Sequence, residues 1–307
     1  MPKRMALRAI EALAGLTCLF AGQALSAAPL SPKAAALKPR PAIWKIADTD
    51  TTIYLFGTTH SLPPGLRWQS PKMRQIIKES QELVVESLET PEAQQKTDAT
   101  VDAIVTPAVD QRPILSRVAP EKRDALKQAI LRTDFPEQFF DAMPSFMASL
   151  VLAVEDMARD GRDRAKGVEA TLIKAFRRHD RPIIALEDGS AVLRQMHGLS
   201  EDAQRHMLEA TINDIAETKP HQPADADLGW ARGDTAIFDA EFRREKLGDE
   251  LYDLLILNRN KAWADWLHAR MARPGVVLFA VGAGHFAGPD ALPKLLERRD
   301  IWAVRVE

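Results

Sequence analysis

The sequence predicts an α/β fold: a central mixed β-sheet with a largely helical insertion covering the carboxyl edge of the strands. Three observations point there. Short apolar runs of β type, at residues 53–56, 83–85, 183–186 and 276–281, alternate with long stretches of helical periodicity. Two of these runs lead into the same G-x-x-H spacing, Gly57-Thr58-Thr59-His60 and Gly282-Ala283-Gly284-His285, near opposite ends of the chain. The other two end in a carboxylate, Glu86 and Glu187. Strands joined through helices favour parallel pairing. A Gly at a strand end permits a sharp turn that presents the next side chains at the carboxyl edge, where ligands of open α/β sheets bind.

The elements follow in order. Residues 42–47 and 51–56 read as a β-hairpin turned by Asp48-Thr49-Asp50, whose second strand delivers the first G-x-x-H. A loop with Pro63-Pro64-Gly65 precedes a helix over 71–80 that begins on Pro71. From 91 to 165 the pattern is helical, interrupted near Pro107, Pro113, Pro120 and Pro136. A helix over 167–178 leads to the strand ending in Glu187, helices fill 190–270, and the chain closes as strand (276–281), G-x-x-H, a helix over 289–298 and a strand over 301–306. No Gly/Ser-rich linker divides residues 42–307, which read as one domain.

Before it, Lys3, Arg4 and Arg8, an apolar core at 12–20 and Ala24-Leu25-Ser26-Ala27 compose a secretory signal over residues 1–26. Its apolar core is too short to cross a bilayer, which takes roughly 20 apolar residues. Residues 27–41, rich in Ala, Pro and Lys, read as a flexible leader. The one cysteine, Cys18, lies inside the signal, so the mature chain is expected to carry no disulfide, thiolate metal site or Cys nucleophile. Formal charge is −2 for the full chain, with no charge run that suggests nucleic acid and no second apolar stretch that suggests a membrane anchor. The expected location is the bacterial periplasm, or outside the cell, after signal cleavage.

His60, His285 and Glu86 each follow a predicted strand, and parallel neighbours would bring them together. Two imidazoles and a carboxylate suit a divalent cation with positions left open for water and substrate. Such a cation lowers the pKa of its water and polarises a carbonyl. Glu187 reads as a further ligand, a partner fixing a His tautomer, or a general base. A helix starting near Pro289 would aim N–H groups at His285. On pattern alone Arg259-Asn260 reads as a solvated helix face, Glu169 as a first-turn carboxylate favoured by the helix dipole, and Trp263 with Trp266 as packing. His179, His197, His206, His221 and His268 sit in polar settings and read as surface residues. There is no G-x-S-x-G elbow, H-E-x-x-H or phosphate loop.

Taken together, Tyr54-Leu55-Phe56-Gly57-Thr58-Thr59-His60 with Leu62-Pro63-Pro64-Gly65, Glu82-Leu83-Val84-Val85-Glu86, Leu186-Glu187, Arg259-Asn260 with Trp263, and Val281-Gly282-Ala283-Gly284-His285-Phe286-Ala287-Gly288-Pro289-Asp290 resemble the TraB/GumN family, which includes the Tiki metalloproteases. The resemblance spans about residues 42–307. It implies an α/β fold related to erythromycin esterase and the ChaN-like haem-binding proteins. It also implies metal-dependent peptide cleavage with manganese or cobalt, zinc and iron being further candidates. By position it makes His60, Glu86 and His285 metal ligands or catalytic groups, and Glu187, Arg259 and Asn260 supporting catalytic residues. One departure from the family pattern is Leu88, two positions after the strand-end Glu, where relatives often carry an acid. The resulting expectation is a metal-dependent, peptidase-like hydrolase acting on a peptide or small molecule. The alternative is a non-catalytic binding protein that holds a metal, haem or small ligand in the same cleft, which a haem absorption band would reveal.

Overall fold

The computed structural model describes residues 37–63, 65–105, 112–162, 166–217, 225–242 and 244–307. The expected signal and most of the leader, together with Pro64, Pro107 and His221, lie outside these residues.

Six strands form one mixed sheet: β1 (Ile43–Ala47), β2 (Thr51–Thr58), β3 (Glu82–Val85), β4 (Ile183–Ala185), β5 (Gly275–Gly282) and β6 (Val304–Arg305), in the order β4-β3-β5-β2-β1-β6. β1 and β2 make the expected antiparallel hairpin, with the Asp48 carboxylate accepting from the N–H groups of Asp50 and Thr51 to shape the turn. β5 pairs parallel with β2 on one side and with β3 on the other, and β3 pairs parallel with β4. β6 closes the far edge antiparallel to β1 and is shorter than the strand expected over 301–306.

Helices α1 (Pro71–Glu79), α2 (Pro91–Val105), α3 (Arg123–Leu131), α4 (Glu137–Asp141), α5 (Ser145–Arg159), α6 (Val168–Arg177), α7 (Gly189–His197), α8 (Glu201–Glu217), α9 (Asp225–Arg232), α10 (Ala236–Glu241), α11 (Arg244–Leu247), α12 (Asp249–Tyr252), α13 (Asn258–Met271) and α14 (Leu292–Glu297) complete the chain. α1 starts where the Ser70 hydroxyl accepts from the Met73 N–H and Pro71 needs no donor. It buries Met73 and Ile76 on the same sheet face that receives Val168, Leu172 and Phe176 of α6. The opposite face is covered by α13 and α14 through Trp263, Leu267, Leu292 and Leu296. Trp263 and Trp266 both pack against Phe279, as the i, i+3 spacing suggested.

The insertion has a core of its own. Phe140, Phe146, Met147 and Leu152 of α4 and α5 pack with Leu208 and Ile212 of α8 and with residues of α2, α3 and α7. It leaves the sheet after β3 and again after β4, both times from the carboxyl edge. No helix of the described residues is long and apolar enough to cross a membrane.

At the centre of the sheet the two G-x-x-H segments touch backbone to backbone. A Cβ added at Gly57 would stand 3.0 Å from the Ala283 Cα and 3.2 Å from the Phe286 ring, and the Gly57 carbonyl accepts from the Trp230 indole N–H at 2.8 Å. Gly57→Ala is therefore expected to lower unfolding free energy by about 1–3 kcal/mol through overpacking. Urea denaturation checks this, and an unchanged midpoint would contradict the close approach.

Candidate active site at the carboxyl edge

The register explains why distant residues meet. Thr58 lies opposite Gly282, and Val85 opposite both Ala280 and Ala185, so β2, β5, β3 and β4 end together. Beyond those ends stand His60, His285, Glu86 and Glu187. α13 brings Arg259 and Asn260 to the same edge, so both leave the solvated face that pattern alone gave them.

His285 sits in a 3-10 turn, Ala283–Phe286, and is buried. The helix expected from Pro289 starts only at Leu292, so its N-terminus does not serve His285 in the way the sequence suggested. Asn260, wholly buried, does instead: its amide nitrogen donates to the carbonyls of His285 (3.2 Å) and Asp290 (2.8 Å), and its Oδ1 lies 2.7 Å from His285 Nδ1. With both amide hydrogens given to carbonyls, Oδ1 accepts, and Nδ1 carries the ring hydrogen. Nε2 is left with its lone pair, 3.2 Å from Arg259 Nη1 and 3.7 Å from Glu86 Oε1. Burial pushes the His285 pKa down to about 3, against the pull of Glu86 and with help from the Arg259 and His60 charges, so the ring is neutral at physiological pH.

Glu86 accepts from the Gly282 N–H at 2.5 Å and from Arg259 Nη2 at 2.5 Å. Burial would raise its pKa, but Arg259, His285 and His60, with the Gly282 N–H, hold it well below the usual carboxylate range. Glu187 accepts from Arg259 Nε at 3.0 Å and from Nη2. Its burial prevails over the Arg259 contacts, and the Glu86 charge adds to it, so its pKa is raised. Two neighbouring carboxylates with opposite shifts are the pattern of one group that stays ionised and one that trades a proton.

Arg259 thus lies among Glu86, Glu187 and His285. A π-turn, Asp253–Leu257, precedes it in the helix, and the Leu255 carbonyl accepts from its Nη1 at 3.2 Å. Turns of this kind recur at functional sites. The Trp263 ring lies 4.6 Å from the guanidinium carbon and 4.4 Å from the His285 ring, packing both from one side.

His60 is placed at the same edge but turned outward, its side chain about half exposed. Its Nδ1 lies 2.6 Å from Glu169 Oε2, while Glu169 Oε1 accepts from the Thr58 hydroxyl at 2.9 Å. The carboxylate makes Nδ1 the protonated nitrogen. Sequence reasoning gave Glu169 only a helix-dipole role; no spacing rule links residues 109 positions apart, and the tie forms because α6 docks its first turn on the β2 exit, where the Val168 N–H donates to the Thr59 carbonyl. Both histidines are therefore held in one tautomer by an oxygen on Nδ1.

Among the described residues no group of three or more His, Cys, Asp and Glu is gathered closely enough to hold a metal ion. Arg259 is the reason at the inner half of the site, where its guanidinium takes the carboxylate and imidazole atoms that a cation would use. The donor set still fits a divalent cation in kind: an unprotonated imidazole nitrogen, an ionised carboxylate beside it, and a second imidazole whose Nδ1 is anchored by a carboxylate, the usual outer-shell arrangement of metal-binding histidines.

The sequence profile of the TraB/PrgY/gumN family matches residues 42–304. The uncharacterized protein YbaP of Escherichia coli (strain K12) and that of Shigella flexneri are each 25% identical over 186 residues, covering 59% of this chain. The alignment spans 66% of each relative, just under two thirds of its length. No solved structure matches. The matched region contains the whole sheet edge, from the first G-x-x-H to the second, and the chain belongs to the TraB/PrgY/gumN family.

Proposed function

We propose that this chain is a periplasmic hydrolase that cleaves an amide or ester bond, a peptide bond in the first instance, at the carboxyl edge of β2, β5, β3 and β4, with a divalent cation held by His60, Glu86 and His285. The observation that carries this reading is the locked tautomer of His285. Asn260 holds Nδ1–H, so Nε2 stays an unprotonated donor in a buried setting beside an ionised Glu86. A neutral, oriented imidazole is what both metal ligation and proton abstraction require. The cation, manganese or cobalt by family resemblance, would supply a water of lowered pKa and polarise the scissile carbonyl.

The remaining roles belong to the chain's own groups. Glu187, with its raised pKa, takes the proton from water and returns it to the leaving group. Arg259, which would yield its contacts with Glu86 and His285 to the cation and keep those with Glu187, Leu255 and Trp263, faces the negative charge that develops on the carbonyl oxygen. Glu169 holds the His60 ring at the mouth, where substrate enters.

The test is elemental analysis of the purified protein after exposure to manganese, cobalt or zinc, together with cleavage of a fluorogenic peptide panel. About one equivalent of metal, lost in His60→Ala and in His285→Ala alongside cleavage, is expected if both histidines serve one ion. Folded protein that takes up no metal and cleaves nothing would overturn the reading.

A further inference from the structure

α1 and α6 lie side by side on one sheet face, and the groove between them encloses about 510 Å³. Thr171, Lys174 and Arg178 recur at helical spacing along the α6 side, Arg74 and Ile77 along the α1 side, and Lys166 stands at the start of α6. Every charged residue lining the groove is a cation. The surrounding sequence is biased the same way: residues 67–81 and 166–181 together hold nine Lys and Arg against three Asp and Glu, in a chain whose formal charge is −2. One of those three acids, Glu169, is already engaged by His60 and Thr58.

Adjacent helices ordinarily face each other with apolar or oppositely charged side chains. Here exposed Arg74 stands on one side of a concavity and exposed Lys174 and Arg178 on the other, a concentration of like charge that attracts an anion. Among the described residues no carboxylate lies within ion-pair distance of Arg74, Lys174 or Arg178. Arg181, which follows α6 but does not line the groove, stacks its guanidinium on Phe176 and donates to the carbonyls of Ile77 and Ser80, tying the end of α6 to the end of α1. Two guanidinium and two ammonium groups lining one cleft, with Thr171 among them, match the oxygen-rich, multiply charged face of a phosphate.

We infer that the groove between α1 and α6 binds a phosphate-bearing anion, presented either on a soluble phosphate ester or on a phospholipid headgroup. None of its residues belongs to the carboxyl-edge site, so this inference stands or falls separately from the hydrolase reading.

The experiment uses the full mature chain and two probes: inorganic pyrophosphate by isothermal titration, and flotation with phosphatidylcholine vesicles with and without phosphatidylglycerol. The variants are Lys174→Glu/Arg178→Glu in the groove and Lys127→Glu/Arg298→Glu on distant surface, which change formal charge equally. Binding of pyrophosphate weakened about tenfold or more in the groove variant alone would support the inference with a soluble source. Flotation only with phosphatidylglycerol, lost in the groove variant alone, would support it with a headgroup source. Neither probe binding, or both double variants weakening binding to the same degree, would overturn it, since net charge and not the groove would then account for the attraction.

Discussion

Replacing His285 with Gln is expected to lower kcat/KM for peptide cleavage by about 10²–10⁴-fold, the range for losing a group that handles the transferred proton or its carrier. Gln fills similar space yet offers no imidazole nitrogen at the Nε2 position. Asn260→Ala, acting only through the ring it orients, should cost about 10–100-fold, the usual loss when an outer partner of a ligating His is removed. A second readout separates the group's chemistry from its packing. Without a metal ion, burial pushes the pKa of folded His285 from the ordinary 6.5 down to about 3. Between those values the unfolded chain binds a proton that the folded chain refuses. Stability should therefore fall as pH is lowered through that window, by about 1.4 kcal/mol per pH unit from this group. Glu187, whose folded pKa is raised, acts in the opposite direction, while Glu86, held low partly by His285, acts in the same direction below pH 4.5, so the difference between wild type and His285→Gln in urea titrations between pH 4.5 and 6.5 reports the His285 slope. Parallel curves for the two proteins would show that the ring is not held neutral.

Arg259→Met should cost about 3–5 kcal/mol of unfolding free energy, a large effect for one side chain, because it strips the cation from two carboxylates that remain buried. Glu86, Glu187 and Arg259 are all less than a fifth exposed, so solvent cannot make good the loss. Neutralising the stranded charges should restore most of it: Arg259→Met with Glu86→Gln and Glu187→Gln is expected to be more stable than Arg259→Met alone. This non-additivity distinguishes an ion cluster from lost packing on Trp263. A triple variant that merely sums three destabilisations would mean that Arg259 contributes through its stem.

How much of this was legible in the chain differs by element. The β-strands next to the G-x-x-H motifs and the strand-end carboxylates announced themselves because each is a local pattern: an apolar run, then a Gly or an acid. That they share one edge depends on β5 inserting between β2 and β3, a pairing no local window contains. Asn260 and Arg259 looked like a polar helix face because helical periodicity reports which side is apolar, and here the polar side is buried against other polar groups. Glu169 was hidden for the same reason as the strand order, its partner being far away in sequence. The late start of α14 reflects the 3-10 turn at residues 283–286, which uses the glycines to place His285 before the chain becomes helical again.

The position of β5 has a consequence for how the protein comes into being. β2 and β3 are made early, yet they are never neighbours; the strand that separates and joins them is translated some 190 residues after β3. Until it arrives, the growing polypeptide holds two parts of a sheet with an unfilled slot, and of the side chains grouped at the candidate site only His285 is still to come. The candidate site at the carboxyl edge therefore assembles in a single late step, when nearly the whole chain is present. A truncated or stalled product ending before residue 275 would lack His285 and the strand that joins the edge, and would expose the bare strand flanks on either side of the slot, the kind of surface on which partly folded chains associate.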